Sequence, residues 1–308
     1  MKCLITGGAG FIGSHLADRL VKDGHKIAIL DNLSTGKKEN LNKKANFYKI
    51  DICDSKICQI FKKEKPEIVF HLAAQVNVRK SVESPMEDAK INILGFINIL
   101  ENCRKFGIKK IIFASSGGAI YGEADIIPTS EDYPTNPLSP YGVAKLSSEK
   151  YLTYYSKIFG LPFISLRFSN VYGPRQSSKG EAGVIAIFCE KMFSGIQPII
   201  HGNGKKTRDF VFVEDVVSAI LLSAQGTEFG IFNVGTSKET SINDIFFDLK
   251  KFTKSKCQEV HGLESIGEQK RSCLDCNNIK RAFNWKTKYD LIDGLKKTVH
   301  WFGVQKLS

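Results

Sequence analysis

The clearest chemical signal in the chain is a tyrosine and a lysine, Tyr141 and Lys145, placed four residues apart. On a helix this spacing brings the phenol and the ammonium onto one face. A tyrosine with an ordinary pKa of about 10 is a poor base at neutral pH, but a positive neighbour favours the phenolate. The pair predicts a general base, Tyr141, assisted by Lys145. That prediction needs an accompanying binding site, because Y-x-x-x-K also occurs on ordinary helix surfaces.

Two adjacent serines supply hydroxyl groups that could assist such a base. Ser115 and Ser116 stand in ASSGGAIYG, residues 114–122, at the end of a predicted strand. Open α/β sheets bind their ligands at the carboxyl ends of their strands. The serines therefore favour a catalytic role for the tyrosine–lysine pair.

A glycine-rich turn, TGGAGFIG at residues 6–13, joins the first predicted strand to the first predicted helix. Gly8, Gly10 and Gly13 match G-x-G-x-x-G, which lets the N-terminal N–H groups of a helix approach a pyrophosphate. Asp31 follows Gly13 by 18 residues and is placed to accept hydrogen bonds from both adenosine ribose hydroxyls. Its charge repels a 2′-phosphate, so the sequence predicts NAD as the cofactor rather than NADP.

The elements that must position these residues alternate between short β-branched segments and longer amphipathic ones, which is typical of βαβ units and a parallel sheet. The predicted strands are residues 2–6, 25–30, 46–50, 67–71, 110–115 and 162–167, and the predicted helices are 11–23, 56–64, 85–106 and 141–159. Beyond about residue 170 the pattern loosens, with short strands at 198–201 and 210–213 and a helix at 216–223. We expect a doubly wound, Rossmann-type α/β fold with a smaller C-terminal α/β lobe.

The chain of 308 residues carries 44 Lys and Arg against 32 Asp and Glu, a formal charge of +12. Such a charge suits nucleic acid, an anionic membrane or small phosphorylated ligands. The lysine-rich segments 37–44 and 62–65 carry no interleaved aromatic residues, so we interpret them as solvated surface. No nucleic-acid partner is expected.

Composition excludes several other classes of protein. With 42% hydrophobic and 25% charged residues, the chain is neither disordered nor collagen-like. No segment is apolar over the ~18 residues that a membrane span needs, and the N-terminus lacks a signal-peptide pattern, so we expect a cytoplasmic protein without a membrane partner. The eight cysteines are expected to be thiols, and Cys273 and Cys276 form an isolated C-x-x-C pair, so no metal site is predicted.

A series of segments in fixed order resembles the extended short-chain dehydrogenase/reductases, most closely the UDP-glucose 4-epimerase group of NAD-dependent nucleotide-sugar epimerases. The segments are residues 6–13, 31–36, 71–75, 115–122, 141–145, 167–175, 208–216 and 233–236, with a C-terminal Trp301. The resemblance covers nearly the whole chain. It implies an NAD-binding domain over residues 1–170, to which some later segments return, and a lobe over 171–308 that mainly binds the nucleotide sugar.

The resemblance also implies a reaction. The 4-hydroxyl of the sugar would lose its proton to Tyr141 while its C4 hydride passes to NAD, and the 4-keto sugar would take the hydride back on its other face. Lys145 would hold the nicotinamide ribose and lower the pKa of Tyr141. Ser116 would hydrogen-bond the reacting oxygen, with Ser115 as the alternative. No net oxidation occurs in such a cycle.

Further binding residues follow from the same resemblance. The residues implied to line NAD, besides Tyr141 and Lys145, are Gly7, Gly10, Phe11, Ile12, Gly13, Asp31, Asn32, Asp51, Ile52, Leu72, Ala73, Ala74, Gln75, Asn92 and Ser115. The residues implied to meet a UDP-hexose are Ser116, Asn170, Val184, His201, Arg208 and Arg271. In relatives the helices at 85–106 and 141–159 form a four-helix contact, so a homodimer is expected.

Some positions depart from the family pattern. Gly117 stands where many relatives have a third hydroxyl residue. The segment 265–268, Ser-Ile-Gly-Glu, lacks an arginine that often binds the diphosphate in relatives. Arg208, with Lys270 or Arg271, would then supply that positive charge. Ser272 stands where some relatives have a bulky residue that restricts the 2-substituent of the sugar, so an N-acetyl group would fit.

Alternative functions stay open at this point. A nucleotide-sugar 4,6-dehydratase is disfavoured, because Gly118 and Ala119 occupy its acid and base positions and neither can move a proton. A UDP-glucuronate epimerase or decarboxylase is not excluded by the residues. A non-catalytic NAD-binding regulator is disfavoured, since it would need the glycine-rich turn but not Tyr141 and Lys145.

Overall fold

The computed structural model describes residues 1–178, 183–264 and 269–307. The strands in chain order are β1 (Lys2–Thr6), β2 (Lys26–Asp31), β3 (Asn46–Lys49), β4 (Ile68–His71), β5 (Lys110–Ser116), β6 (Phe163–Phe168), β7 (Asn170–Tyr172), β8 (Ile200–His201), β9 (Thr207–Arg208), β10 (Phe210–Phe212), β11 (Gly230–Val234), β12 (Thr240–Ser241), β13 (His261–Gly262) and β14 (Arg271–Ser272). The first six lie within one residue of their predicted bounds, because each is a short β-branched segment bordered by turn residues.

The α-helices in chain order are α1 (Phe11–Lys22), α2 (Ile57–Glu64), α3 (Val78–Glu83), α4 (Pro85–Ala89), α5 (Phe96–Lys105), α6 (Gly117–Ile120), α7 (Pro140–Phe159), α8 (Val184–Phe193), α9 (Val213–Gln225), α10 (Ile242–Thr253), α11 (Asn277–Phe283) and α12 (Leu291–Leu307). A short 3₁₀ helix covers Lys38–Asn40, and a π-helical segment, Lys90–Gly95, joins α4 to α5.

Seven parallel strands form the central sheet in the order β11-β6-β5-β4-β1-β2-β3. The chain winds outward in both directions from β1, and open α/β sheets bind ligands in the crevice beyond the carboxyl ends of such strands. That edge carries the glycine-rich turn after β1, the loop 72–77 after β4, and the serines that end β5. The predicted doubly wound α/β fold is confirmed.

Both faces of the sheet are covered by apolar side chains. Leu4 and Ile5 are adjacent in β1 and point to opposite faces, so they belong to different buried clusters. The face with Ile5 packs against α1 and α9, and the face with Leu4 packs against α2, α5 and α7. A third cluster, which includes Phe188, Phe246 and Phe302, joins α8, α10 and α12 in the C-terminal part of the chain.

The chain after residue 170 contributes to the sheet as well as to the lobe. Strand β11 pairs with β6 through the register Phe232 opposite Leu166, and α9 packs against α1. The smaller sheets, among them the antiparallel and parallel pairs of β9 with β12 and β14, lie in this later part. The domain boundary at residue 170 itself stays a prediction.

Three predicted elements differ from the structure by more than one residue. The helix predicted over 216–223 spans Val213–Gln225. The helix predicted over 85–106 is interrupted by the π-helical segment Lys90–Gly95, where a Cβ on Gly95 would lie 2.8 Å from the Ile52 side chain. The strand predicted over 198–201 is shortened to Ile200–His201, because Pro198 has no N–H to donate to a ladder.

No described helix combines the length and apolar composition needed to cross a bilayer. All eight cysteines are free thiols, and burial raises the pKa of Cys273 to about 12. Within the described ranges, His, Cys, Asp and Glu side chains form no group of three or more that could hold a metal ion.

Candidate active site

The glycine-rich turn fits a pyrophosphate because side chains are excluded from it. Gly7 has a φ of +72°, and a Cβ there would lie 2.7 Å from the backbone nitrogen of Ala73. A Cβ on Gly13 would lie 2.2 Å from the Gly7 carbonyl oxygen. Helix α1 begins at Phe11, and its N-cap, Gly10, has no side chain to bond the first N–H groups. Those N–H groups are available to a phosphate oxygen.

Asp31 ends β2 beside this turn and is 8% exposed. Its Oδ2 accepts from the backbone N–H of Ala9 at 2.9 Å, and its Oδ1 accepts from that of Leu33 at 2.8 Å. A carboxylate has about four acceptor positions, so two remain for the ribose hydroxyls of an adenosine. A Cβ on Gly36 would lie 2.8 Å from Asp31 Oδ1, which explains a small residue there.

Beside Asp31, a second polar pair borders the predicted adenine side. Asn32 Nδ2 donates to Asp51 Oδ2 at 2.8 Å, and Ile52 beside it is 6% exposed. These residues, predicted to line NAD, lie together at the ends of β2 and β3. The N–H groups of the turn, the acceptor oxygens of the acid and the apolar wall together fit an NAD molecule.

The loop 72–77 packs over the glycine-rich turn. The backbone N–H of Ala73 donates to Thr6 Oγ1 at 3.2 Å, which brings Leu72, Ala73 and Ala74 beside Gly7. Gln75 is fixed by Asn92, whose Oδ1 accepts from the Gln75 N–H and whose Nδ2 donates to the Gln75 carbonyl, both at 2.9 Å. The side chain of Asn92 thus holds the backbone of the loop at Gln75.

Tyr141 lies in the first turn of α7. Ser139 caps this helix by accepting from the Gly142 N–H at 3.2 Å, and the Tyr141 N–H donates to Ser81 Oγ at 3.2 Å. Burial raises the pKa of the Tyr141 phenol to about 12, and a hydrogen bond with the Ser116 side chain acts in the opposite direction. The phenol and the Ser116 hydroxyl are therefore neighbours.

Lys145 lies one turn further along α7 and is 5% exposed. Its Nζ donates to the Ala114 carbonyl at 2.8 Å and lies 5.7 Å from the centre of the Tyr141 ring. Burial lowers the pKa of this ammonium to about 8. The structure thus brings together the predicted base and its lysine at the carboxyl end of β5.

The two serines have different partners. Ser115 Oγ donates to Glu149 Oε1 at 2.7 Å and is buried behind α7, whereas Ser116 faces Tyr141. Gly117 follows them, and a Cβ there would lie 2.6 Å from Leu274 Cδ1, so Leu274 explains why a larger residue is absent. Sequence reasoning did not separate the serines, because Glu149 is distant along the chain.

A cavity of about 210 Å³ lies beyond β7, and the predicted substrate residues Asn170 and Val184 line it. Ser169 and Gln176 line it as well, and their Oγ and Oε1 atoms are buried without a hydrogen-bond partner in the described chain. Such unpaired polar atoms are available to a ligand that enters the cavity. Sequence reasoning missed Ser169 and Gln176, because only the fold shows that their polar atoms are unpaired.

The remaining predicted substrate residues lie on the small strands. His201 ends β8 and is exposed, with Nδ1 3.2 Å from the Leu263 carbonyl oxygen. Arg271 forms an ion pair with Glu239, which also accepts from Thr207, the residue opposite Arg271 in the strand register.

Because side chains alternate along a strand, Arg208 points to the face opposite Thr207 and Arg271. The structure therefore does not bring Arg271 together with Arg208. The predicted departure at 265–268 lies outside the described residues.

Comparison with known proteins identifies relatives that match the chain over nearly its whole length. The model of the NAD dependent epimerase/dehydratase family matches residues 3–235. A putative UDP-glucose 4-epimerase of Methanocaldococcus jannaschii is 48% identical over 97% of both chains. The crystal structure of a Thermotoga maritima UDP-glucose 4-epimerase with UDP-glucose superposes with a TM-score of 0.98 at 46% identity, covering 100% of both chains.

A Thermus thermophilus UDP-glucose 4-epimerase, solved in complex with NAD, covers 98% of this chain and 99% of its own with a TM-score of 0.94 at 39% identity. The chain belongs to the NAD dependent epimerase/dehydratase family.

Proposed function

We propose that the chain is an NAD-dependent UDP-glucose 4-epimerase, which interconverts UDP-glucose and UDP-galactose through a 4-keto sugar. The observation that carries this proposal is the position of the buried Lys145, whose Nζ lies 5.7 Å from the centre of the Tyr141 ring at the end of the strand that carries Ser116. These groups stand at the same sheet edge as a turn that fits the pyrophosphate of NAD. A proton acceptor and a cofactor site therefore face one space, which is what oxidation at a sugar hydroxyl requires.

In the proposed cycle, Tyr141 takes the proton of the sugar 4-hydroxyl and later returns it. When bound, NAD supplies a reversible hydride acceptor. Ser116 donates a hydrogen bond to the reacting oxygen, and Lys145 provides a positive charge that favours the phenolate form of Tyr141. Burial raises the pKa of Tyr141 to about 12, so proton transfer at neutral pH would need a positive charge beside the phenol, and Lys145 is the ammonium placed there.

Substitution of the two serines should separate their roles. We expect Ser116→Ala to lower kcat about 10²-fold, because a hydrogen bond to the reacting oxygen is lost. Ser115→Ala should lower kcat less and should chiefly reduce the free energy of unfolding by about 1 kcal/mol, through the lost bond to Glu149. Steady-state kinetics and urea unfolding of both variants measure this. A larger loss of kcat in Ser115→Ala than in Ser116→Ala would show that Ser115, and not Ser116, donates the hydrogen bond to the reacting oxygen.

The N-acetylated pair is a second candidate substrate. A Cβ on Gly118 would meet no atom within 4 Å, and Ser272 is a small residue on the same strand face as Arg208. Both features leave room beside the proposed sugar position.

A substrate panel read by nuclear magnetic resonance tests the function directly. Purified protein is expected to convert UDP-glucose to UDP-galactose without added reductant, and UDP-N-acetylglucosamine is tested beside it. Reaction of UDP-glucuronate alone, by epimerisation or with loss of carbon dioxide, would overturn the proposal in favour of the alternative enzymes.

We further propose that the protein is a homodimer. Large apolar side chains are exposed along α4, the π-helical segment and α7, among them Met86 at 87%, Leu94 at 61% and Ile158 at 62%. A second copy of the same surface would cover them. Light scattering after size exclusion should give twice the mass of the 34.3 kDa chain, and a monomer would contradict the proposal. The cytoplasmic location and the absence of a nucleic-acid partner stay predictions.

A further inference from the structure

One buried carboxylate near the candidate active site has no role in the mechanism described so far. Asp88, in α4, is 1% exposed. Its Oδ1 accepts from Gln75 Nε2 and from Asn92 Nδ2, both at 2.9 Å. Its Oδ2 is also buried and has no hydrogen-bond partner in the described chain. An unpaired buried oxygen on an acid costs free energy, so its presence calls for a physical explanation.

The paired oxygen of Asp88 holds the loop 72–77 in place. Gln75 Nε2 also donates to the Asn77 carbonyl at 2.9 Å, and Asn92 clamps the backbone of Gln75 from both sides. Asp88 thus links α4, the π-helical segment and the loop. Since this loop packs on Gly7, the acid fixes one wall of the space proposed for NAD.

The charge of Asp88 acts on the tyrosine–lysine pair. Its negative charge raises the pKa of Lys145, opposing the lowering by burial, and it also raises the pKa of Tyr141. Burial raises the pKa of Asp88, whereas the hydrogen bonds from Gln75 and Asn92 and the charge of Lys145 act in the opposite direction and favour its ionised form. The acid therefore stabilises the ammonium that the proposed mechanism needs.

The other charged groups near this site include an ion pair and a neutral histidine. From α7, Glu149 pairs with Arg167. From β4, burial lowers the pKa of His71 to about 3, so that its ring is neutral. The remaining charged side chains on α3 and α4 are Arg79, Lys80, Glu83 and Glu87, of which Lys80 and Glu87 pair with each other.

We propose that Asp88 is a positioning residue for the proposed epimerase: Oδ1 holds Gln75 and Asn92, and with them the loop that borders NAD, and the buried negative charge acts on the neighbouring tyrosine–lysine pair. This inference rests on the proposed function for its kinetic part. Its binding part, the shape of the loop, is independent of which sugar reacts.

The variant Asp88→Asn separates charge from geometry. Its carbonyl can still accept from Gln75 and Asn92, but the negative charge is gone. Because that charge raises the pKa of both Lys145 and Tyr141, its removal lowers both, so the two limbs of the pH profile of kcat should move together toward acid pH. We expect kcat about three- to tenfold below wild type on the alkaline limb and no lower than wild type on the acid limb. A purely structural residue would lower kcat without moving the limbs.

The variant Asp88→Ala removes the acceptor as well. We expect its affinity for NAD, measured by fluorescence titration, to fall about tenfold, whereas Asp88→Asn should bind NAD like the wild type. Glu87→Gln, on the same helix with a half-exposed side chain, removes the same formal charge and serves as the control for both measurements.

The outcomes distinguish a failure of the role of Asp88 from a failure of the proposed function. An unmoved pH profile in Asp88→Asn, or wild-type NAD affinity in Asp88→Ala, would overturn the role of Asp88. If the wild-type protein epimerises no nucleotide sugar, the proposed function fails. In that case the NAD titrations, with the ultraviolet phenolate spectrum of Tyr141 across pH, still decide the role of Asp88.

Discussion

The variant Tyr141→Phe is expected to lower kcat for UDP-glucose epimerisation about 10²- to 10⁴-fold, the usual contribution of a positioned general acid–base group. The phenylalanine ring keeps the packing of the first turn of α7 but has no oxygen to accept the sugar proton. The backbone contact of residue 141 with Ser81 is retained. NAD should therefore remain bound. Nuclear magnetic resonance of stopped reactions measures kcat, and a fluorescence titration with NAD measures the affinity for the cofactor.

A matched control is available in Tyr289, whose hydroxyl donates to Glu214 at 2.6 Å before α12. Tyr289→Phe removes one hydroxyl from a tyrosine that no step of the proposed cycle uses, so its kcat should equal that of the wild type. A Tyr141→Phe protein with more than about a tenth of the wild-type kcat would show that another group takes the proton.

Local sequence patterns predicted much of the fold, and their failures have physical causes. The strands that start the chain are short, β-branched and bordered by turn residues, so their bounds are clear. Strand β11, by contrast, was not predicted, because its five residues gain strand structure only by pairing with β6. The π-helical segment was missed as well, since one extra residue per turn does not disturb the apolar pattern enough to be seen.

In the candidate site, too, motifs that are local in sequence were predicted, whereas contacts between distant residues were not. The glycine-rich turn and the tyrosine–lysine pair are each local in sequence. The spacing within each motif therefore predicts by itself that the residues of that motif lie together. The choice between Ser115 and Ser116 depends on Glu149, which lies 34 residues from Ser115. Arg271 is turned toward Glu239 by an ion pair across strands, and no local pattern indicates this.

The largest expected effect on stability concerns the buried ion pair behind the candidate site. Arg167 on β6 and Glu149 on α7 are 4% and 1% exposed, and Nη2 of the arginine lies 2.7 Å from Oε2 of the glutamate. Ser115 and Ser165 both donate to Glu149 Oε1, and Tyr121 accepts from Arg167 Nη1 at 2.7 Å. The pair therefore joins β5, β6 and α7 through charges that water does not reach.

Because Glu149 neutralises a guanidinium that has no access to solvent, Glu149→Ala should lower the free energy of unfolding by about 3–5 kcal/mol. The double variant Glu149→Leu with Arg167→Met removes both charges and should lose clearly less than Glu149→Ala, since no buried charge is left alone. Arg19→Ala breaks an exposed pair with Asp23 and should cost less than about 1 kcal/mol. Urea unfolding of the NAD-free proteins measures all three. Equal losses in the single and double variants would mean that packing, rather than the unpaired charge of Arg167, sets the cost.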